Sequence, residues 1–145
     1  MITDRLAGLR EEMAKRNIAV YIVPTADFHD SEYVGEHFKA RQFITGFTGS
    51  AGTAVITMKE AGLWTDGRYF VQAAQQLEGT TVELRKIGEE GVPTIEEYLE
   101  QTLSDGDIIG FDGRVVDGAW GAKLLEIAQK KNGGVYVDED LIDII

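Results

Sequence analysis

The run Ile18-Ala19-Val20-Tyr21-Ile22-Val23 constrains this chain more than any other stretch. It is apolar without a break and rich in β-branched residues. A strand with one solvated face alternates apolar and polar positions. An unbroken apolar run is instead a strand covered on both faces, as in a parallel sheet flanked by helices. Pro24 closes the run, because a residue without an N–H cannot continue a central ladder.

The flanking segments fit that layer order. Asp4 to Arg16 reads as a helix, with Leu6, Leu9 and Met13 on one face. Asn17 suits the left-handed position that ends a helix. Thr25 to Asp30 reads as a loop and Ser31 to Gln42 as a weaker helix. Thr53 to Thr57 and Gly62 to Thr65 read as a hairpin around a turn at Met58 to Ala61. Helix from Arg68 to Leu77, strand from Thr80 to Lys86, and a helix opened by a Thr94/Glu97 capping box follow. Ile108 to Asp112 reads as a strand. A helix from an Asp117 cap to Lys131 carries Trp120, Leu124, Ile127 and Ala128 on its core side. Gly133-Gly134 stops it, before a last strand at Val135 to Val137. The expected fold is α/β, three-layered, with a mixed, mostly parallel sheet flanked by helices. The 145 residues suit one domain.

Charge narrows the function. Lys plus Arg number 14 against 25 Asp plus Glu, a net charge of −11. A nucleic-acid binder needs clustered cations, so nucleic acid is not an expected partner. The same balance argues against an anionic membrane surface. No apolar run approaches the roughly 18 residues of a membrane helix. The N-terminus has no apolar signal core. With no cysteine there is no thiolate catalysis, disulfide or Cys-ligated metal. A cytoplasmic protein is the expectation.

Candidate chemistry is thin. His29 and His37 are too far apart for the i, i+4 pair that shares a helical face. Asp27 and His29 form one Asp-x-His pair, short of the three ligands of a catalytic metal. The glycines Gly46, Gly49 and Gly52 suggest backbone turns. Lys-Ser or Lys-Thr does not follow them, and a strand follows where a phosphate-binding helix should open. A free-standing phosphate or nucleotide binder remains the alternative reading of that loop. Ser50 lacks the Gly-x-Ser-x-Gly context of a nucleophile. Asp66, Asp105, Asp112 and Asp117 each precede glycine, as turn residues do, and with Asp107 they read as turn acids, not a metal cluster. Arg68 follows an expected strand end and could offer a guanidinium fork to a carboxylate or carbonyl. From the residues alone no catalytic constellation assembles.

Three blocks nevertheless resemble a known family. Tyr21 to Tyr33 (YIVPTADFHDSEY), Gly46 to Ala54 (GFTGSAGTA) and Leu63 to Ala73 (LWTDGRYFVQA) are similar, in order and spacing, to the N-terminal domain of Xaa-Pro aminopeptidases of the creatinase/prolidase group. Weaker likeness runs through Pro93-Thr94-Ile95 and Val137 to Ile145. The longer, cytosolic, three-domain type is most similar.

The resemblance implies a ribonuclease-H-like α/β domain over residues 1–145, excised or truncated from a longer protein. It implies that catalysis belongs to a C-terminal pita-bread domain absent from this chain. There, two divalent metals, usually manganese, are held by Asp, His and Glu, and a bridging water attacks the bond before a penultimate proline. This domain would then supply no catalytic residue and no metal ligand. It would shape substrate access, limit substrate length and contribute to contacts in a homodimer. Arg68 matches an arginine on the substrate-side rim. The alternative is a catalytically inactive, peptidase-like module that binds basic protein partners, for which an acidic surface is suited.

Overall fold

The computed structural model describes residues 2–25, 44–45, 52–65, 67–111 and 118–137, with backbone only at Thr3, Pro24, Thr25, Arg68 and Gly118. In chain order these form α1 (Ile2–Lys15), β1 (Ile18–Thr25), β2 (Gly52–Thr57), β3 (Ala61–Thr65), a short 3-10 turn (Gly67–Tyr69), α2 (Phe70–Leu77), β4 (Val82–Lys86), α3 (Ile95–Thr102), β5 (Ile108–Phe111), α4 (Gly118–Lys130) and β6 (Gly134–Tyr136). The expected helix at Ser31 to Gln42, the loop after Thr25, the glycine block before Gly52 and the Asp117 cap lie outside the described residues.

The described strands make one six-stranded sheet in the order β4-β3-β2-β1-β5-β6. β2 runs antiparallel to both β1 and β3, and the other neighbours pair in parallel. The mixed, mostly parallel α/β fold expected from the sequence is therefore the fold observed.

The unbroken apolar run of β1 is explained by two cores, one on each sheet face. Tyr21 and Val23 join Leu6, Leu9 and Met13 of α1 and Ala73 and Leu77 of α2. Val20 and Ile22 join Tyr98 and Leu99 of α3 and Leu124, Ile127 and Ala128 of α4. Ile18 lies with Tyr21, three residues on, because the β1–β5 register slips between Ile18 and Val20. Burying each such side chain contributes about 1.5–3 kcal/mol.

Helix ends follow the sequence closely. Asn17 adopts φ 58° after α1. Thr94 accepts from the Glu97 N–H at 3.1 Å and Glu97 accepts from the Thr94 N–H at 2.9 Å, completing the capping box.

The helix expected from Arg68 begins at Phe70, after the 3-10 turn, and three other boundaries also differ from expectation. β1 continues through Pro24, which pairs with Thr53. The described β1–β5 pairing runs from Ile18 and Ile108 to Ile22 and Phe111. β4 starts at Val82, because Thr80 folds back locally, its hydroxyl donating to the Leu77 carbonyl at 2.7 Å. The end of α4 is set by Asn132, not by the glycines. Asn132 has φ 61°, its N–H donates to Gln129, and the Gly133 N–H donates to Ala128. That is a Schellman motif with asparagine in the left-handed position. Gly134 belongs to β6.

Candidate functional site

Strand direction decides where the three motif blocks go. β1, β3, β4, β5 and β6 run the same way, so their carboxyl ends share one edge of the sheet. β2 runs against them and begins at that edge, with Gly52 opposite Thr25 and Thr53 opposite Trp64. The first block leaves through the end of β1, the second enters through the start of β2, and the third crosses the end of β3 into α2. Their described parts therefore meet at one edge. The carboxyl edge is where open α/β sheets place ligands.

The third block is built outward from β3. Leu63 faces the α1/α2 core and Trp64 the α3/α4 core. The chain then turns through Gly67–Tyr69 into α2. The backbone of Arg68 occupies the middle of this turn; its side chain lies outside the described residues. β4 braces the turn. The Ile87 N–H donates to the Thr65 carbonyl at 3.0 Å, and Lys86 Nζ lies 5.5 Å over the Phe70 ring.

Trp64 is only 1% exposed. Its ring lies over Gly62, where an added Cβ would fall 2.7 Å from the indole. Its Nε1–H donates to the Pro93 carbonyl at 2.9 Å. Tyr98 meets it edge-on at a centroid distance of 5.1 Å. The Arg85 guanidinium lies 5.6 Å from the Trp64 ring and 5.7 Å from that of Tyr98, and pairs with Glu83 at 3.0 Å. Tyr98 Oη donates to Glu60 at 3.0 Å. Burial, then the hydrogen bond to Glu60, pushes the Tyr98 hydroxyl pKa above its ordinary value. The Arg85 Nε–H is buried without a partner. Reading the sequence missed Arg85, Tyr98 and Glu60 as a group. The available signal was the alternation in β4, where Val82 and Leu84 face one side and Glu83 and Arg85 the other.

Beside this cluster, where β4 leads into α3, is an apolar pocket of about 230 Å³. Trp64, Ile87, Val92, Pro93 and Ile95 contribute to its lining.

The remaining sequence candidates separate. Asp105 and Asp107 do turn work, accepting from Asn132 Nδ2 at 2.6 Å and from the Ser104 N–H at 2.7 Å. Asp27, His29, His37, Gly46, Gly49, Ser50, Asp66, Asp112 and Asp117 lie outside the described residues. Among the described residues no group of three or more His, Cys, Asp or Glu could hold a metal ion. None of the described helices is long and apolar enough to cross a membrane.

A family model described as the Creatinase/Prolidase N-terminal domain matches residues 5–138. This chain belongs to that family. As a creatinase/prolidase N-terminal domain it is 43% identical over 145 residues to a probable Xaa-Pro aminopeptidase P of Botryotinia fuckeliana, covering 99% of this chain and 22% of that protein. It is 46% identical over 144 residues to a protein of the same name from Arthroderma otae, covering 99% and 23%. Thus the domain spans less than a quarter of either relative's length.

Among solved structures, an X-prolyl aminopeptidase from Caenorhabditis elegans, described as a cytosolic enzyme with a di-nuclear active site, matches with TM-score 0.86 and 31% identity. That match covers 100% of this chain and 25% of that one. The N-terminal domain of the cytoplasmic peptidase PepQ from Mycobacterium tuberculosis matches with TM-score 0.67 and 21% identity, covering 97% of each. The latter likeness concerns the fold. The family named from the three blocks is thereby confirmed.

Proposed function

We propose that this chain is the N-terminal, non-catalytic domain of a cytoplasmic, metal-dependent Xaa-Pro aminopeptidase, which releases the residue before a penultimate proline. Residues 1–145 form a single domain in this reading, joined to a C-terminal catalytic domain. The observation that carries it is the meeting of the three family blocks at the carboxyl edge of the sheet. An edge with five strand ends is suited to line the approach to a neighbouring cleft. Arg68, in the turn at that edge, offers a forked cation to a peptide carbonyl or carboxylate. Shaping substrate access and supporting a homodimer are the domain's roles.

The described residues do not fit a dinuclear metal centre, since they bring no sufficient donor group together. Manganese or another divalent pair belongs to the catalytic domain.

The test compares this chain with the full-length protein on an X-Pro peptide in manganese buffer. Turnover by the full-length protein alone is expected. Turnover by the repurified 145-residue chain would overturn the non-catalytic assignment.

The net charge of −11 favours one second reading, a catalytically inactive peptidase-like module that binds basic proteins. It predicts no turnover by the full-length protein and salt-sensitive capture of a basic partner.

A further inference from the structure

We infer that the pocket between Trp64, Ile87 and Pro93 is a subsite for an apolar side chain of the peptide substrate, on the carboxyl side of its proline. This rests on the peptidase reading above. The pocket shares its end of the sheet with the Arg68 turn. Trp64, in its wall, lies four positions before Arg68, and Ile87 bonds to Thr65 at the foot of that turn.

Its chemistry selects the ligand. Several polar groups of the wall are already engaged. Trp64 Nε1–H is held by the Pro93 carbonyl, Thr94 by Glu97, and Glu96 accepts from Trp120 Nε1 at 3.2 Å. The larger part of the wall is the apolar surface of Trp64, Ile87, Val92, Pro93 and Ile95. A volume of about 230 Å³ is below the roughly 300–1,000 Å³ of sites that take a drug-sized ligand. It suits one leucine, isoleucine or phenylalanine side chain. The first residue and the proline must occupy the reacting centre, which the described residues do not build. The side chains left for this domain are those after the proline.

Ile87 is 51% exposed, so it forms a lip that can be changed without opening either core. The experiment uses the full-length enzyme and X-Pro peptides carrying leucine or serine at the third, fourth or fifth position. The wild type is expected to prefer leucine by about tenfold in kcat/KM at one of these positions, the scale of a modest apolar contact. Ile87→Asp and Ile87→Ser should each reduce that preference to within about twofold, leaving kcat/KM for an X-Pro dipeptide unchanged. Ile87→Ser separates loss of apolar contact from introduced charge. No preference in the wild type, or a preference surviving both substitutions, overturns the subsite while the peptidase reading stands. Failure of the full-length protein to cleave any X-Pro peptide overturns both.

Discussion

The Trp64 indole donates to the Pro93 carbonyl at 2.9 Å, tying the chain just before α3 to a strand residue 29 positions earlier. The same ring is packed over Gly62 and closed by Tyr98 and Arg85. One side chain thus fixes the connection from β4 to α3 against the strand that leads to Arg68. Removing it should be costly in two separable ways. Trp64→Ala should destabilise the domain by roughly 3–5 kcal/mol in urea unfolding. Trp64→Phe, which keeps a ring and loses the donor, should cost about 1–3 kcal/mol. Equal losses would show that the hydrogen bond, not packing, dominates.

Gly133 is required for a different reason. An added Cβ would collide with the Asp107 carbonyl oxygen, and backbone cannot move aside as a side chain can. Gly133→Ala should cost about 3 kcal/mol or more. Gly134→Ala, with nothing near its Cβ, should be neutral or stabilising by up to about 1 kcal/mol. The difference between the two unfolding free energies checks the close approach.

The Thr94/Glu97 capping box should be worth about 1 kcal/mol to the domain. Thr94→Ala removes the acceptor for the Glu97 N–H, and Thr94→Ser should restore most of the loss. A denaturation series on the three proteins reads this directly.

Tyr98 gives the domain an alkaline limit. Its pKa is raised in the folded state by burial and by the bond to Glu60. Folding therefore holds the proton more tightly than the unfolded chain does. The stabilisation is complete below the ordinary tyrosine value, about 10, and is lost as pH rises from there through the folded value. Thermal unfolding followed from pH 8 upward should show this decline, and Tyr98→Phe should make it shallower. An unchanged alkaline slope would assign the decline to other groups.

Much of this fold is legible in local chemistry. The β1 run announces two covered faces, and both cores are found on it. Asn17 and the Thr94/Glu97 pair act as their residue types dictate. What local reading misses is set by neighbours distant in sequence. Pro24 stays in a strand, in register with Thr53 of β2. Gly133 is a glycine for the sake of Asp107, not to stop α4. Likewise Arg85 reads as a solvated charge until parallel pairing sets it beside Trp64. Of the candidate site, Arg68 and its turn could be named in advance. The meeting of the three blocks depends on β2 running against its neighbours, which no single segment reveals.

In the proposed function this sheet edge faces the substrate of a catalytic domain, and Arg68 lends it a cation. Steady-state kinetics of Arg68→Ala in the full-length protein checks that role, with the urea midpoint of the isolated domain measured alongside. For an X-Pro peptide kcat/KM should fall by about tenfold or more, the scale of a lost charged hydrogen bond, while the midpoint is unmoved. Undiminished kcat/KM in the folded variant would contradict it.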